Sequence, residues 1–362
     1  MKSKLKQLTV PLYAVLTGLI LGAIIMLVSG YNPLNAYDAL LVGAFGSASA
    51  LGNTLTSAVP LILVGLGIAV AFRAGLFNIG AEGQYWMGAI VAVFIGYHFP
   101  TLTPILHISL ALLGAMLAGA LWGGVIPGLT KSLVGAHEVI TTMMLSYIAI
   151  FFVHYLLEQG PMMAPGFVPQ SRPIAASAAL PNLFPSTGVF ANATLSSGFL
   201  IALAAAILTH IVLFRTTFGY RLRTVGHNPS AAKYAGMSVT RFTILSLGLS
   251  GLLAGLAGGV QMLGVDQQLN DSVSSGFGYT GIVVSLLARN NPYAVILAGI
   301  FFSALSVGSQ TMQINSGVSA NMTDVITGII VFFVAADRLY AYGFSRIRSR
   351  VRGRSLERTE QG

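Results

Sequence analysis

Long apolar segments alternate with short polar connections along nearly the whole chain. A helix rises 1.5 Å per residue, so about 20 apolar residues are needed to cross roughly 30 Å of hydrocarbon. Ten segments fit this pattern within a few residues at each end: 9–29, 51–72, 78–97, 104–126, 138–157, 197–214, 242–264, 276–288, 292–311 and 321–337. The pattern predicts an all-α polytopic membrane protein with about ten transmembrane helices.

The composition agrees with this prediction and excludes several classes of protein. Of 362 residues, 55% are hydrophobic and 8% are charged, whereas soluble proteins have about 25% charged residues. The net charge of +9 comes from short loops and from a basic C-terminal tail, so it does not indicate a nucleic-acid partner. With no cysteine, the chain offers neither disulfides nor thiol chemistry.

The basic residues set the predicted orientation. If Met1 is cytoplasmic and the spans alternate, 18 of the 19 Lys and Arg residues fall on one side and only Arg172 falls on the other. This asymmetry follows the positive-inside rule. It places both termini in the cytoplasm, and the basic and then apolar N-terminus is typical of a retained signal-anchor helix.

The span 276–288 is the weakest of the ten. Thirteen residues are too few to cross the hydrocarbon. The span is therefore either broken or re-entrant, which would mark a translocation path, or a longer helix that begins near Ser272.

Glycines recur at four-residue spacing inside several spans, for example Gly18 and Gly22, Gly119 and Gly123, and Gly251 and Gly255. Such spacing lets helix backbones approach closely. It is typical of tight packing in a membrane bundle, and a sliding interface is the alternative.

Enzyme signatures are missing from the sequence. There is no P-loop pattern, His137-Glu138 has no second histidine at zinc-site spacing, and no cluster of carboxylates suits a hard metal. We therefore expect no catalytic residue, no metal and no cofactor bound by this chain.

The loop between the sixth and seventh spans, residues 215–241, carries a short capped helix. Asn228 suits the N-cap, Pro229 the first helical position and Gly236 the left-handed stop. Such a short helix has little core of its own, so we expect it to dock on a cytoplasmic partner, or on anionic lipid headgroups as the alternative. Basic residues precede it or lie on it: Arg221, Arg223 and Lys233.

Two glutamates begin predicted spans. We expect Arg73 to end one helix, Gly75 to permit a turn, and Asn78 to cap a helix that starts near Ile79. Glu82 then lies in the first turn near the cytoplasmic face, where the helix dipole favours a carboxylate. Glu138 begins a later span in the same way. A structural role and a role in gating both remain open.

Polar residues inside the spans are the other candidates for a path or gate. They would line a route for an uncharged hydroxylated solute, or form interhelical hydrogen bonds. With the two glutamates, the candidates are Asn53, Asn78, Glu82, Glu138, Thr141 and Thr142.

The longest predicted outer loop runs from residue 159 to 196. Loops of this length are uncommon without a role. It is either a platform for an external partner, with Arg172 as the basic contact, or a passive crossover.

Four stretches, in order, carry a resemblance to a known family: "FRAGLFNIGAEGQYWMGA", "GAHEVITTMMLSYIA", "GHNPSAAKYAGMSVTR" and "GFGYTGIVVSLLARNNPYAVILAGIFFSAL". Together they resemble permease subunits of bacterial ABC importers of the sugar, nucleoside and branched-chain amino-acid group. Within this group, the stretches are most similar to nucleoside permeases that work with basic-membrane-protein-type lipoproteins. The resemblance covers about residues 51–340.

The resemblance implies a vitamin-B12-permease-like (type II ABC importer) fold in the bacterial inner membrane. It places the coupling helix on residues 228–236 within a coupling segment 215–241. It also implies three partners: a cytoplasmic ATPase that uses ATP, a second homologous permease and an extracytoplasmic substrate-binding lipoprotein. On this basis residues 1–50 are an anchor helix and outer loop, 51–340 the permease domain and 341–362 a basic tail.

We therefore expect a nucleoside importer subunit, with a simple sugar as the alternative solute. A proton-coupled secondary transporter that uses Glu82 or Glu138 is less favoured, and a scaffold without transport is less favoured again.

Overall fold

The structure is a computed structural model that describes residues 2–183, 195–270 and 274–335, with side chains from residue 11 onward. The predicted basic tail 341–362 lies outside the described residues. The helices are α1 Lys2–Val28, α2 Pro33–Phe45, α3 Ala48–Arg73, α4 Ala81–His98, α5 Pro104–Ala120, α6 Ile126–Val134, α7 Glu138–Glu158, α8 Gly198–Arg215, α9 Thr217–His227, α10 Pro229–Tyr234, α11 Val239–Gln261, α12 Phe277–Leu287, α13 Pro292–Ser316 and α14 Met322–Ala335. Short π-helical turns, Leu121–Val125 and Met262–Asp266, follow α5 and α11.

Each of the ten predicted spans corresponds to a helix, and the all-α polytopic fold is confirmed. Within the part of the chain that the structure describes, seven helical stretches are long and apolar enough to cross a membrane: Pro11–Val28, Ala48–Arg73, Pro104–Val134, Glu138–Glu158, Gly198–Arg215, Val239–Asp266 and Pro292–Ser316. The other three predicted spans are α4, which begins with polar residues, and the shorter apolar helices α12 and α14.

The helix α2 lies in a segment predicted as an outer loop, and that prediction is wrong. The Asn32 side chain accepts the backbone N–H of Leu34, and Pro33 occupies the first turn. These are the usual signals of a helix N-terminus. The helix packs against α13 and α3, and the Thr54 hydroxyl donates to the Ala44 carbonyl at 2.8 Å. Its 13 residues were too few to register as a span.

The core is built around α3 and α11. In the most apolar stretches of these two helices, 83% and 72% of the residues are buried. Glycine makes the close packing possible, as the four-residue spacing predicted. A Cβ added to Gly119 of α5 would lie 2.2 Å from the Gly251 carbonyl oxygen of α11. The two backbones are therefore in direct contact.

The loop after α7, which is predicted to lie on the outer side, is fixed to the ends of other helices. The backbone N–H of Ser171 donates to the Leu269 carbonyl at 2.8 Å, and that of Ala175 donates to the Gly96 carbonyl at the same distance. His107 also bonds to Ser177 at 2.8 Å. This loop covers the ends of α4 and α11.

Candidate functional site

The connection between α3 and α4 is a non-helical segment, residues 74–80, held at its start by Arg73. Gly75 has φ +72°, which permits the predicted turn. The Arg73 guanidinium donates from Nε to the Asn290 carbonyl at 3.2 Å and from Nη2 to the Arg289 carbonyl at 3.3 Å. Arg73 thus binds the C-terminal end of α12, and does not pair with Glu82.

Asn78 does not cap α4, contrary to the sequence-based prediction. The helix begins two residues later than expected, at Ala81, and Gly80 is its N-cap. Asn78 Oδ1 accepts the Gly80 N–H at 3.0 Å. Its Nδ2 donates to Gln84 Oε1 at 2.9 Å and to Ser250 Oγ at 2.8 Å. With 1% of its surface exposed, Asn78 joins the non-helical segment to α4 and α11.

Thr142 also binds the segment that precedes α4. The backbone N–H of Ile79 donates to the Thr142 hydroxyl of α7 at 3.3 Å. The side chains of Asn78 and Thr142 thus satisfy the buried backbone donors of residues 79 and 80 before the helix begins.

Glu82 lies in the first turn of α4, as predicted, but its carboxylate binds another helix. Oε2 accepts the backbone N–H of Gly278 at 2.7 Å. Oε1 accepts Trp86 Nε1 at 3.1 Å and also the Ser274 hydroxyl. Gly278 is the second residue of α12, so Glu82 satisfies a free N–H at the positive end of that helix.

The position of Glu82 along α12 shows that it lies well away from the helix ends near Arg73. Arg73 binds one end of α12 and Glu82 binds the other. An 11-residue helix is about 16 Å long, which is about half of a hydrocarbon core of about 30 Å. Glu82 lies this far from Arg73 because the non-helical segment 74–80 carries the chain along the bundle before α4 begins.

A contact between α4 and α7 places the start of α4 at a similar distance from the helix ends. The Gly83 N–H donates to Ser146 Oγ at 3.2 Å, and Ser146 lies about 12 Å along α7 from Glu138. Non-helical backbone at this depth is tolerated where protein covers it.

The helix α12 is short because it also begins inside the bundle. Its first residue is Phe277, preceded by Gly276 at φ +77°. Ser274 and Ser275 are non-helical, which rules out a continuous helix from Ser272. The observed helix has 11 residues, too few to cross the hydrocarbon by itself.

Glu138 forms an ion pair at the start of α7. Its Oε2 lies 2.5 Å from Lys131 Nζ and 3.8 Å from His137 Nδ1. The carboxylate is 9% exposed and the lysine 33% exposed. Glu138 therefore has a structural partner on the preceding helix.

The six candidates for a path or gate divide into three places. Asn78, Glu82 and Thr142 meet at the helix break. Glu138 and Thr141 lie in the first turn of α7, where the Thr141 hydroxyl donates to the His137 carbonyl at 3.2 Å. Asn53 is exposed near the start of α3.

Several residues of the break were not predicted: Gln84, Trp86, Ser250, Ser274 and Gly278. Gln84 and Trp86 lie on α4 close to the predicted residues, and Trp86 is four residues after Glu82, on the same face of the helix. Ser250, Ser274 and Gly278 lie far along the chain, and one sequence does not show that they meet.

The coupling segment has the predicted local structure. Asn228 Oδ1 accepts the Ala231 N–H at 3.0 Å, Pro229 is the first helical residue and Gly236 has φ +76°. Tyr234 is 95% exposed, and Lys233 is exposed beside it. The exposed surface of α10 at Lys233 and Tyr234 remains a predicted docking site for a cytoplasmic partner.

The other basic residues of the segment differ from one another. Arg223 lies over the Phe214 ring, with its guanidinium carbon 5.0 Å from the centroid, so it is engaged within the fold. Arg221 is exposed and lines a pocket of 630 Å³ between α9 and the start of α11. Arg172 is exposed on the outer loop, and its role with an external partner remains a prediction.

Comparison with known proteins shows the family. Residues 50–335 match the family described as "Branched-chain amino acid transport system / permease component", and the chain belongs to it. It is therefore a multi-pass ABC permease, a transport component. No solved structure matches the chain significantly.

Three curated relatives cover most of the chain. It is 39% identical over 339 residues to the nucleoside ABC transporter permease NupB of Lactococcus lactis subsp. cremoris, covering 92% of each chain. It is 38% identical over 351 residues to the guanosine ABC transporter permease NupP of Bacillus subtilis, covering 97% of this chain and 99% of NupP. It is 34% identical over 337 residues to a glucose ABC transporter permease of Haloferax volcanii, covering 91% and 87%.

Proposed function

We propose that this chain is the membrane-spanning permease subunit of an ATP-driven importer of nucleosides. The observation that carries the proposal is its similarity to a nucleoside permease and a guanosine permease over more than nine-tenths of all three chains. A path through the break at Asn78 and Glu82 would suit a neutral solute rich in hydrogen-bonding groups.

The proposed transporter contains further subunits. By analogy with the family, a cytoplasmic ATPase binds and uses ATP, a second homologous permease completes the path, and an extracytoplasmic lipoprotein delivers the solute. The chain lies in a bacterial inner membrane with both termini cytoplasmic. Residues 51–340 form the permease domain, between the N-terminal segment 1–50 and the basic tail 341–362.

The helix α10 is the proposed contact with the ATPase, and its neighbours suggest how movement reaches the break. It is joined directly to α9. A Cβ added to Gly226 of α9 would lie 2.3 Å from the Arg73 carbonyl oxygen, so α9 touches the turn after α3. Arg73 in turn binds the end of α12. A displacement of α10 would therefore be passed through α9 and Arg73 to α12 and the break.

Co-purification with the ATPase tests the docking surface. Lys233→Glu and Tyr234→Ala change exposed side chains, so we expect normal membrane insertion but a loss of bound ATPase. Tyr31→Ala is the matched control. Tyr31 is also exposed, at 38%, but it lies between α1 and α2, away from the predicted ATPase contact. Unchanged ATPase recovery with both α10 variants would refute this assignment.

Uptake by cells that express the complete transporter tests the solute. We expect uptake of labelled guanosine that is competed by unlabelled purine and pyrimidine nucleosides. The similarity to a glucose permease makes a sugar the second candidate. Competition by glucose, with none by nucleosides, would favour the sugar and refute the nucleoside proposal.

A further inference from the structure

Two tyrosines are exposed beside the helix break, one on α7 and one on α12. Tyr147 is 46% exposed and Tyr279 is 40% exposed. The residue before each tyrosine contacts the start of α4: the Gly278 N–H donates to Glu82 Oε2 at 2.7 Å, and Ser146 Oγ accepts the Gly83 N–H at 3.2 Å. The two rings and the buried carboxylate therefore belong to one neighbourhood.

Both tyrosines lie far from the ends of α7 and α12 that are predicted to be cytoplasmic. Tyr147 is nine residues along α7 from Glu138, or about 13 Å, and Tyr279 is eight residues from Leu287 at the other end of α12, or about 12 Å. The membrane-interface positions where tyrosine is common are the ends of a span. These depths are instead close to the middle of a hydrocarbon core of about 30 Å.

The surface around the tyrosines combines apolar and polar groups. On α7, Tyr147 lies among the exposed side chains of Met144, Ile148 and Phe151. On α5, by comparison, the large exposed side chains are all aliphatic: Ile105, Leu106, Leu110, Leu113 and Leu117. Exposed Ser275 lies four residues before Tyr279, and a hydroxyl exposed to hydrocarbon at mid-depth would lose its hydrogen bonds to water, which is unfavourable. Aromatic rings with hydroxyls on one surface suit a solute that has both an aromatic ring and polar groups.

The charge beside this surface restricts the solute. Glu82 is 3% exposed, and its oxygens already bind Trp86, Ser274 and Gly278. The N-terminal end of α12, which would otherwise attract an anion, is therefore occupied by a fixed carboxylate. A neutral solute with an aromatic ring and hydroxyls is compatible with this surface, and a phosphorylated solute is disfavoured.

We propose that Tyr147 and Tyr279 form the nucleobase-binding surface of the translocation path, at the side of the Glu82 helix break. This assignment rests on the proposed function in nucleoside import. Aromatic side chains bind bases by stacking, which does not depend strongly on the identity of the base. A single path could thus pass purine and pyrimidine nucleosides.

Single-cysteine labelling tests the assignment, and the chain suits it because it has no cysteine. Tyr147→Cys and Tyr279→Cys are made in the complete transporter and treated with a small charged thiosulfonate, with and without guanosine. Leu113→Cys on α5, at a residue 55% exposed, is the lipid-facing control. Ser319→Cys, at an exposed residue between α13 and α14, is the positive control.

We expect labelling at both tyrosine positions and protection by guanosine, with no labelling at Leu113. Failure to label either position would show that the surface faces lipid or protein and would overturn the assignment. Labelling without protection would overturn the role in nucleoside binding.

Uptake kinetics provide a second readout that does not depend on the cysteine variants. Tyr279→Phe keeps the ring and should retain kcat/KM for guanosine within about twofold, whereas Tyr279→Leu should lower it roughly five- to a hundredfold. Equal values for the two variants would refute stacking. Wild-type guanosine uptake is measured first, and its absence refutes the proposed function. Normal uptake, together with cysteines that guanosine does not protect from labelling, refutes only this assignment.

Discussion

Replacement of Glu82 by alanine should destabilise the contact between α4 and α12. The change removes the acceptor of three hydrogen bonds, from Trp86, Ser274 and Gly278. It also leaves their donors without this acceptor at a place where Glu82 is only 3% exposed.

The expected loss of unfolding free energy can be bounded from the number of hydrogen bonds removed. Interhelical hydrogen bonds in membrane proteins average about 0.6 kcal/mol, which gives about 2 kcal/mol for three bonds. Bonds to a charged group in soluble proteins contribute about 1.5 kcal/mol or more, which gives about 4.5 kcal/mol. Glu82→Gln should lose less, because an amide oxygen can still accept from some of these donors but at least one donor faces the amide N–H group.

Thermal stability of the detergent-solubilised protein measures this order. We expect wild type to be most stable, then Glu82→Gln, then Glu82→Ala. Glu158→Ala, at an exposed glutamate at the end of α7, is the matched control and should differ little from wild type.

A double-mutant cycle with Ser274→Ala isolates one bond. Ser274→Ala should destabilise the wild type but have little effect when Glu82 is already alanine. Additive effects of the two substitutions, or a Glu82→Ala protein as stable as the Glu158→Ala control, would refute the capping role.

Two further predictions concern packing and surface charge. Gly278→Ala should greatly reduce folded protein and transport, because the added Cβ would lie 2.3 Å from the Glu82 backbone nitrogen. Gly328→Ala is the control, because nothing lies within 4 Å of its added Cβ. Equal yields of the two variants by size-exclusion chromatography would contradict the close approach. Lys131→Met should shift the unfolding temperature less than Glu82→Ala does, since partly exposed ion pairs contribute about 1 kcal/mol or less, and a larger shift would show that Glu138 has a greater structural role.

The sequence predicted the parts of the fold that depend on local pattern. Apolar length located all ten spans, and cap chemistry located the helix at Asn228 to Tyr234 together with the left-handed Gly236. These features are set by residues within a few positions of each other, so one sequence contains them. The helix at Pro33–Phe45 was missed because its 13 residues are too few to register as a span, although Asn32 and Pro33 are a recognisable start.

The candidate site was predicted only incompletely, because its geometry depends on contacts between distant helices. Asn78 and Glu82 were identified as polar residues near a helix start. Their distance from Arg73 along the bundle was not predicted, because hydropathy assigns residues 78–97 to a span without showing that residues 74–80 are non-helical. Ser250 lies 172 positions from Asn78, and Gly278 lies 196 positions from Glu82. No local spacing rule connects residues so far apart.

The central claim is that this permease moves nucleosides at the expense of ATP. The most direct measurement uses sealed vesicles that contain the complete transporter, with the lipoprotein and labelled guanosine on its extracytoplasmic side and ATP supplied only on its cytoplasmic side. We predict guanosine accumulation that requires ATP and persists with a protonophore. Accumulation without ATP that a protonophore abolishes would contradict the account and favour a proton-coupled transporter.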